Sequence, residues 1–249
     1  IAKAKITIIK PSLKFYEEIV GRYFDFVSLT PIHVRTLIEH QPSFFDNIGK
    51  CLIGSSGVSF SLEQQIHSLN KNTNFYESYA MTETISHFAL RNISIKESSF
   101  SLLDGFQVRL NSDNCLEVYH PIILPEKIVT NDIVKIIDAQ HIIYKGRKDN
   151  VINSSGIKLN PEFLENEWSS FLPFSFILAG EPEDTLGHRL IMILKSPITW
   201  TKNEIWDALS AQQIPSRLQP KEIYNCSQWV ETESLKPKRK EIYLHRIEF

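Results

Sequence analysis

The chain has 249 residues, of which 42% are hydrophobic and 22% are charged, and its formal net charge is −2. This composition is typical of a globular protein with one large or two modest domains, and it argues against a general nucleic-acid or membrane surface. No apolar run approaches the roughly 18 residues that a membrane span needs, and three well-separated cysteines without a CxxC pair favour a reduced, cytoplasmic protein.

The N-terminal part of the chain alternates predicted strands with predicted helices. The strands are Phe26–Leu29, Lys50–Ile53 and Asn74–Glu77, and the helices are Leu13–Val20, Pro31–Glu39 and Ser61–Leu69. Such alternation predicts a parallel sheet with crossover helices. Ligands of such sheets bind beyond the carboxyl ends of the strands, and two polar turns, Gly54–Gly57 and Tyr79–Glu83, follow predicted strands there.

From about Phe100 the pattern changes to short alternating strands. They are Phe106–Leu110, Cys115–Tyr119, Ile133–Ile137 and His141–Tyr144, and they predict an antiparallel, barrel-like unit. A third unit follows, with a helix from Pro161, strands Ser175–Ala179 and Leu190–Leu194, a helix Lys202–Ser210, a strand Glu222–Tyr224 and a basic tail. We therefore expect a large domain over 1–148, parallel to about residue 98 and barrel-like over about 99–148, and a small domain over 149–249.

Three polar segments carry candidate chemistry. In Tyr79-Ala80-Met81-Thr82-Glu83 a hydroxyl precedes a carboxylate, as a phosphate–Mg²⁺ site requires. The structural alternative is a helix N-terminus capped by Thr82. The other two segments are a charged, glycine-containing turn, Gly146–Leu159, and a basic run that begins at Lys236.

These latter two segments also have structural explanations. The turn holds Arg147, Asp149 and Gly156, and a solvated hairpin is its alternative. The basic run has a solvated tail as its alternative. Between the first two segments, Asp132 is either a turn cap or a two-oxygen acceptor for hydroxyl groups.

In this order, the three segments resemble the motifs of the adenylate-forming acyl-CoA synthetase superfamily. The resemblance covers most of the chain and is best to the branch that activates o-succinylbenzoate for menaquinone biosynthesis. It implies an α/β plus α+β fold, with part of a large AMP-binding domain and a small mobile C-terminal domain. It also implies a magnesium-dependent acid–CoA ligase that uses ATP, passes through an acyl-AMP, and transfers the acyl group to coenzyme A.

The resemblance assigns a role to each matching position. The residues expected to bind nucleotide or coenzyme are Ser55, Ser56, Gly57, Tyr79, Ala80, Met81, Thr82, Asp132, Arg147 and Gly156. Lys236, Thr82 and Glu83 are the expected catalytic residues, with Glu83 as the metal ligand. Asp149 is the expected hinge. His33 and Ser56 are the expected acid-binding residues, although a lone His on a helix is more often a packing residue.

The sequence departs from the family at three places. Ala80 stands where the family has Gly in its Tyr-Gly-x-Thr-Glu motif, Leu235 replaces the Gly before Lys236, and Gly54-Ser55-Ser56-Gly57 replaces a Gly-Gly-Ala turn. The turn is the weaker match, and a plain surface turn is its alternative. The spacing of Lys236 and Arg239 agrees with the family's Gly-Lys-x-x-Arg motif.

The family's phosphate loop does not occur in the 249 residues. Because the chain begins at Ile1 without Met, we expect that loop in about a hundred residues upstream, the size of a small domain. Two alternatives stay open: adenylation of another acid or transfer to a carrier-protein thiol, and a nucleotide-binding remnant without catalysis. We expect small-molecule partners rather than nucleic acid or membrane, and a homodimer is left open.

Overall fold

The computed structural model describes residues 4–8, 12, 15–19, 21–69, 72–154, 156–183, 187–232 and 236–249. Two sheets organise these residues, one of nine strands and one of six. Within the described ranges, no helix has the length and apolar character needed to cross a membrane. The predicted combination of α/β and α+β architecture is confirmed, whereas the division into two domains stays a prediction.

The first part of the nine-stranded sheet is parallel, as predicted. It contains β1 (Phe24–Leu29), β2 (Ile48–Ile53) and β3 (Asn74–Ala80), connected by helices α1 (Pro31–His40) and α2 (Phe60–Ser68). Pro31 opens α1, where its missing N–H has no partner to lose, and the Ser59 hydroxyl caps α2 by accepting the Leu62 N–H. A common apolar core joins both helices to these strands.

The same sheet continues with antiparallel strands after β3, so the parallel part ends at β3 and not at about residue 98 as expected. The antiparallel strands are β4 (His87–Asn92), β5 (Phe100–Leu102), β6 (Gln107–Leu110), β7 (Cys115–His120), β8 (Leu124–Ile136) and β9 (His141–Arg147). The spatial order is β1-β2-β3-β4-β5-β9-β8-β7-β6. The predicted antiparallel unit is thus joined edge to edge with the parallel strands, so its residues come close to the carboxyl end of β3.

The second sheet follows a one-turn 3-10 helix at Lys148–Asn150. Its elements are β10 (Ile152–Ser154), β11 (Ile157–Leu159), α3 (Pro161–Trp168), β12 (Phe176–Glu183), β13 (Gly187–Lys195), α4 (Lys202–Ala211), β14 (Glu222–Cys226), α5 (Arg239–Leu244) and β15 (Arg246–Ile247). The strand order is β11-β10-β13-β14-β15, with β12 paired to β13. Helices α3 and α4 cover an apolar core of their own.

Two further sequence expectations need correction. The stretch expected to be a basic tail forms helix α5, because Ile242 is fully buried and draws the segment onto β12 and β13. The helix expected over Leu13–Val20 is only a short 3-10 helix at Phe15–Glu18, and Leu13 and Val20 lie outside the described residues. Strands β4, β5, β10, β11 and β15 were not predicted; all except β4 are only two or three residues long.

Candidate functional site

Tyr79 and Asp132 form the centre of the candidate site. Tyr79 lies at the end of β3, and its phenol donates a hydrogen bond of 2.7 Å to Oδ2 of Asp132 on β8. Aromatic rings of Phe88, Phe100 and Tyr144 surround the Tyr79 ring, which is buried. Burial, and then the charge of Asp132, raises the pKa of Tyr79, so the phenol stays protonated and keeps donating.

Arg147 completes this arrangement from the neighbouring strand. Asp132 on β8 and Arg147 on β9 are paired in the sheet register, and Nη1 of Arg147 lies 3.5 Å from Oδ1 of Asp132. The backbone N–H of Asp132 donates to the Thr130 hydroxyl at 3.0 Å. A carboxylate has about four acceptor positions, so Asp132 retains capacity for two further hydroxyl donors. The structure therefore brings together three predicted nucleotide-binding residues.

The predicted hinge residue lies next to Arg147. Asp149 belongs to the 3-10 turn between the two sheets, and its Oδ2 is 3.4 Å from Nη2 of Arg147. The Asn131 amide donates to the same oxygen at 3.3 Å. Asp149 therefore contacts Asn131, which precedes Asp132 on β8, and Arg147, which lies opposite Asp132 on β9. These two contacts link the position of Asp149 to the candidate nucleotide site.

Thr82 and Glu83 lie in an exposed 3-10 turn directly after β3. The alternative in which Thr82 caps this turn is wrong, because Thr84 makes the capping bonds: its hydroxyl accepts from the Met81 N–H at 3.0 Å. The Glu83 carboxylate makes no hydrogen bond or ion pair with a described residue. Ile85, with φ of 65°, holds a strained left-handed conformation just behind the turn.

A magnesium ion fits this turn only together with phosphate oxygens. Within the described ranges, no group of three or more His, Cys, Asp or Glu side chains could hold a metal ion. Mg²⁺ is commonly held by one or two carboxylates, substrate phosphates and water rather than by a protein cage. An exposed Glu83 carboxylate beside the Thr82 hydroxyl suits that arrangement.

The Gly54–Gly57 turn follows β2, beside the end of β3. Ser55 adopts φ of 77°, and a Cβ on Gly54 would lie 2.8 Å from the Ser78 hydroxyl. The backbone N–H of Val58, just after the turn, donates to Oε1 of Glu77 at 2.7 Å. Ser55 and Gly57 are exposed, so the turn lies at the surface, and its role in ligand binding stays a prediction. The Glu77 contact has no sequence signal, because it depends on a single Glu within a predicted strand.

Lys236 lies on an exposed loop of the second sheet's unit. Its backbone N–H donates to the Thr232 hydroxyl at 3.0 Å, and Thr232 N–H donates to the Lys236 carbonyl at 2.9 Å. The ammonium makes no hydrogen bond or ion pair with any residue in the described ranges. Ser234 and Leu235, the preceding motif positions, lie outside the described residues. Among the described residues, no hydrogen bond or ion pair joins Lys236 to Tyr79, Asp132 or Arg147.

The alternative in which the basic run is a solvated tail does not hold for Arg239. Its Nη1 and Nη2 atoms bind Oε1 and Oε2 of Glu165 on α3 at 2.7 and 2.5 Å. Burial alone would lower the pKa of Arg239, but Glu165 and Glu162 together raise it. The guanidinium is therefore a partly buried anchor three residues after Lys236.

His33 and Gly156 are two further predicted site residues, and their contacts with described residues are local. Nδ1 of His33 is 2.7 Å from the Thr30 hydroxyl, its ring packs edge-on against Phe15, and burial lowers its pKa. These contacts are those of a packing residue, and its predicted role toward the acid stays a prediction. Gly156 occupies the exposed turn between β10 and β11 with φ of +80°, and an added Cβ would meet no atom within 4 Å.

No protein-family model matches the sequence, and a search of curated proteins finds no match. Solved structures do match. An acyl-CoA synthetase (AMP-forming)/AMP-acid ligase II-like protein from Dyadobacter fermentans is 26% identical, with a TM-score of 0.54 over 94% of this chain and 69% of that one.

Two further structures superpose more closely at lower identity. The o-succinylbenzoate CoA synthetase MenE from Bacillus subtilis, in complex with the acyl-adenylate OSB-AMP, is 16% identical with a TM-score of 0.78, over 94% of this chain and 54% of that one. ATP-bound MatB from Rhodopseudomonas palustris is 14% identical with a TM-score of 0.78, over 95% of this chain and 53% of that one. The chain thus spans about half the length of these two proteins.

Proposed function

We propose that this chain, which has the fold of the AMP-forming acyl-CoA synthetases, is the adenylate-holding part of an ATP-dependent acid–CoA ligase. The observation that carries the proposal is the pairing of Asp132 and Arg147 across β8 and β9, with the Tyr79 phenol on the same carboxylate. A fixed two-oxygen acceptor beside a guanidinium fits a ribose diol next to a phosphate. Structures that share the fold have been solved with ATP, AMP or an acyl-adenylate.

The proposed first half-reaction forms an acyl-adenylate. The carboxylate of the acid attacks the α-phosphate of ATP, and pyrophosphate leaves. In this step Asp132 would orient the ribose, and the Thr82 hydroxyl would donate to a phosphate oxygen. Glu83 would be the protein ligand of a magnesium ion, whose charge would offset that of the phosphates. The Gly54–Gly57 turn, with Ser56, would line the space for the base and the acid.

Lys236 is the proposed catalytic cation in the same step. Its ammonium would bridge the carboxylate and the α-phosphate, stabilising the negative charge that builds in the transition state. Because Lys236 lies on an exposed loop beyond Asp149, this role requires the small domain, 149–249, to rotate about that hinge. In the second half-reaction the coenzyme A thiol displaces AMP, and Gly156 would border the path of the thiol arm.

The acid is proposed to be o-succinylbenzoate, which would place the protein in menaquinone biosynthesis. The motif resemblance supports it, as does the similarity to MenE structures from Bacillus subtilis and E. coli. Adenylation of another aryl acid, or transfer to a carrier-protein thiol, keeps the same site chemistry and is the nearest competing proposal.

Pyrophosphate release by the complete gene product tests the proposal over a panel of aryl acids. We expect o-succinylbenzoate to give the highest kcat/KM, with formation of AMP and a coenzyme A thioester. Rapid turnover of benzoate with none of o-succinylbenzoate would overturn the substrate. AMP binding without turnover of any acid would instead identify a nucleotide-binding remnant.

A further inference from the structure

The Gly54–Gly57 turn is held in a conformation that its own residues do not favour. Ser55 adopts φ of 77°, a left-handed conformation that non-glycine residues rarely enter. Such backbone costs of order 1–3 kcal/mol and persists where surrounding contacts impose it. Gly54 is pressed against Ser78 on β3, since a Cβ there would approach the Ser78 hydroxyl to 2.8 Å.

Glu77 supplies a buried contact at the C-terminal side of this turn. It lies on β3 two residues before Tyr79, and only 6% of it is exposed. Its Oε1 accepts the backbone N–H of Val58 at 2.7 Å, immediately after the turn. A carboxylate that accepts a buried backbone N–H makes a charge-assisted bond, which is stronger and better directed than a neutral one.

Arg91 connects the same carboxylate to the helix that follows the turn. Glu77 and Arg91 are paired in the register of β3 and β4, and Nε of Arg91 donates to Oε2 of Glu77 at 2.8 Å. Nη1 of Arg91 lies 3.1 Å from the Glu63 carboxylate on α2. Burial alone would lower the pKa of Arg91, but the two carboxylates raise it, so the guanidinium stays charged.

We infer that Glu77 is a positioning residue that sets the distance between the Gly54–Gly57 turn and the Tyr79–Asp132 pair. This inference rests on the proposed function, in which that gap receives the flat base and the acid. Both contacts start from β3. The Tyr79 phenol donates to Asp132, and the Glu77 carboxylate accepts the Val58 N–H next to the turn. A shift of the turn would therefore weaken ligand binding without removing any group that touches the reacting atoms.

The test compares Glu77→Ala and Glu77→Gln in the complete gene product. We expect Glu77→Ala to raise KM for ATP and for the acid by about tenfold, the effect of one lost hydrogen bond to a charged group, with little change in kcat. Glu77→Gln should raise KM less, because its amide oxygen can still accept the Val58 N–H. Hydrogen exchange at the Val58 amide should accelerate in the same order.

Glu117 provides the matched control. It is also buried, at 7% exposure, and pairs with Arg109 and Lys127 in the antiparallel part of the same sheet. Glu117→Ala should leave both KM values unchanged. Folded Glu77 variants with wild-type KM would overturn the inference, as would a kcat loss that only follows the folded fraction.

The two proposals fail in different ways. A wild-type protein that adenylates no acid removes the proposed function and this inference with it. If the wild-type protein adenylates an acid and the Glu77 variants have the same KM values as the wild type, only this inference is removed. If Glu77→Ala does not fold, the KM values and Val58 exchange of Glu77→Gln decide.

Discussion

The phenol of Tyr79 and the carboxylate of Asp132 meet at 2.7 Å although 53 positions separate them in the chain. This bond joins the end of a parallel strand to a strand of the antiparallel part. It is possible because β5 and β9 continue the sheet from β4 toward β8. The proposed nucleotide site thus depends on the two parts of the sheet being one continuous structure.

Tyr79→Phe tests how much that hydrogen bond contributes to stability and to nucleotide binding. The variant keeps the ring among its aromatic neighbours and removes only the hydroxyl, which leaves Asp132 less well oriented. We expect the free energy of unfolding to fall by about 1 kcal/mol and AMP affinity to fall several-fold, measured by urea denaturation and calorimetry. Tyr119→Phe, at an exposed tyrosine of β7, is the control and should change neither quantity. Unchanged AMP affinity in Tyr79→Phe would show that this bond does not contribute to nucleotide binding.

Lys236→Ala should divide the two half-reactions. The ammonium is proposed to act only while the acyl-adenylate forms, so pyrophosphate release should be abolished. Thioester formation from supplied acyl-adenylate should largely persist. Lys238→Ala is the neighbouring control, since Lys238 is exposed and pairs with Glu241. Equal loss of both steps in Lys236→Ala would refute the proposed role.

Arg239→Ala should lower the stability of the region around α3 and α5. Removing one partner of a buried ion pair leaves the other charge uncompensated, at a cost of about 3–5 kcal/mol. The Arg239–Glu165 pair keeps 21% and 15% of its side-chain surface exposed. We therefore expect a loss in the free energy of unfolding near the lower end of that range, about 3 kcal/mol. Lys238→Ala, which breaks an exposed pair, should cost less than about 1 kcal/mol. Similar values for the two variants would show that Glu165 finds water or another partner.

The sequence predicts those parts of the fold that depend on local patterns. Pro31 and the apolar spacing after it are local, and α1 begins at Pro31 as expected. The family resemblance implies that Asp132 and Arg147 both bind the nucleotide. Their pairing in the register of β8 and β9 places them side by side, and the binding role stays a prediction.

Contacts between distant residues carry no such local signal. Arg239 binds a glutamate 74 positions away, so its position after Lys236 made it look like part of a solvated run. Glu77 and Arg91 pair across a hairpin whose second strand was not predicted. Short strands such as Ile152–Ser154 and Ile157–Leu159 hold too few residues to show an alternating pattern.

Gly156→Val should impair the second half-reaction selectively. The residue has φ of +80°, and an added Cβ would meet no atom within 4 Å, so the main local cost of the substitution is backbone strain. Adenylation should stay near wild type, while thioester formation should fall, because a branched side chain would stand in the proposed path of the thiol arm. Gly21→Val, at a glycine with φ of +72° and equally open surroundings, controls for the strain alone. A Gly156→Val enzyme that loses adenylation first, or keeps full coenzyme A turnover, would remove Gly156 from that path.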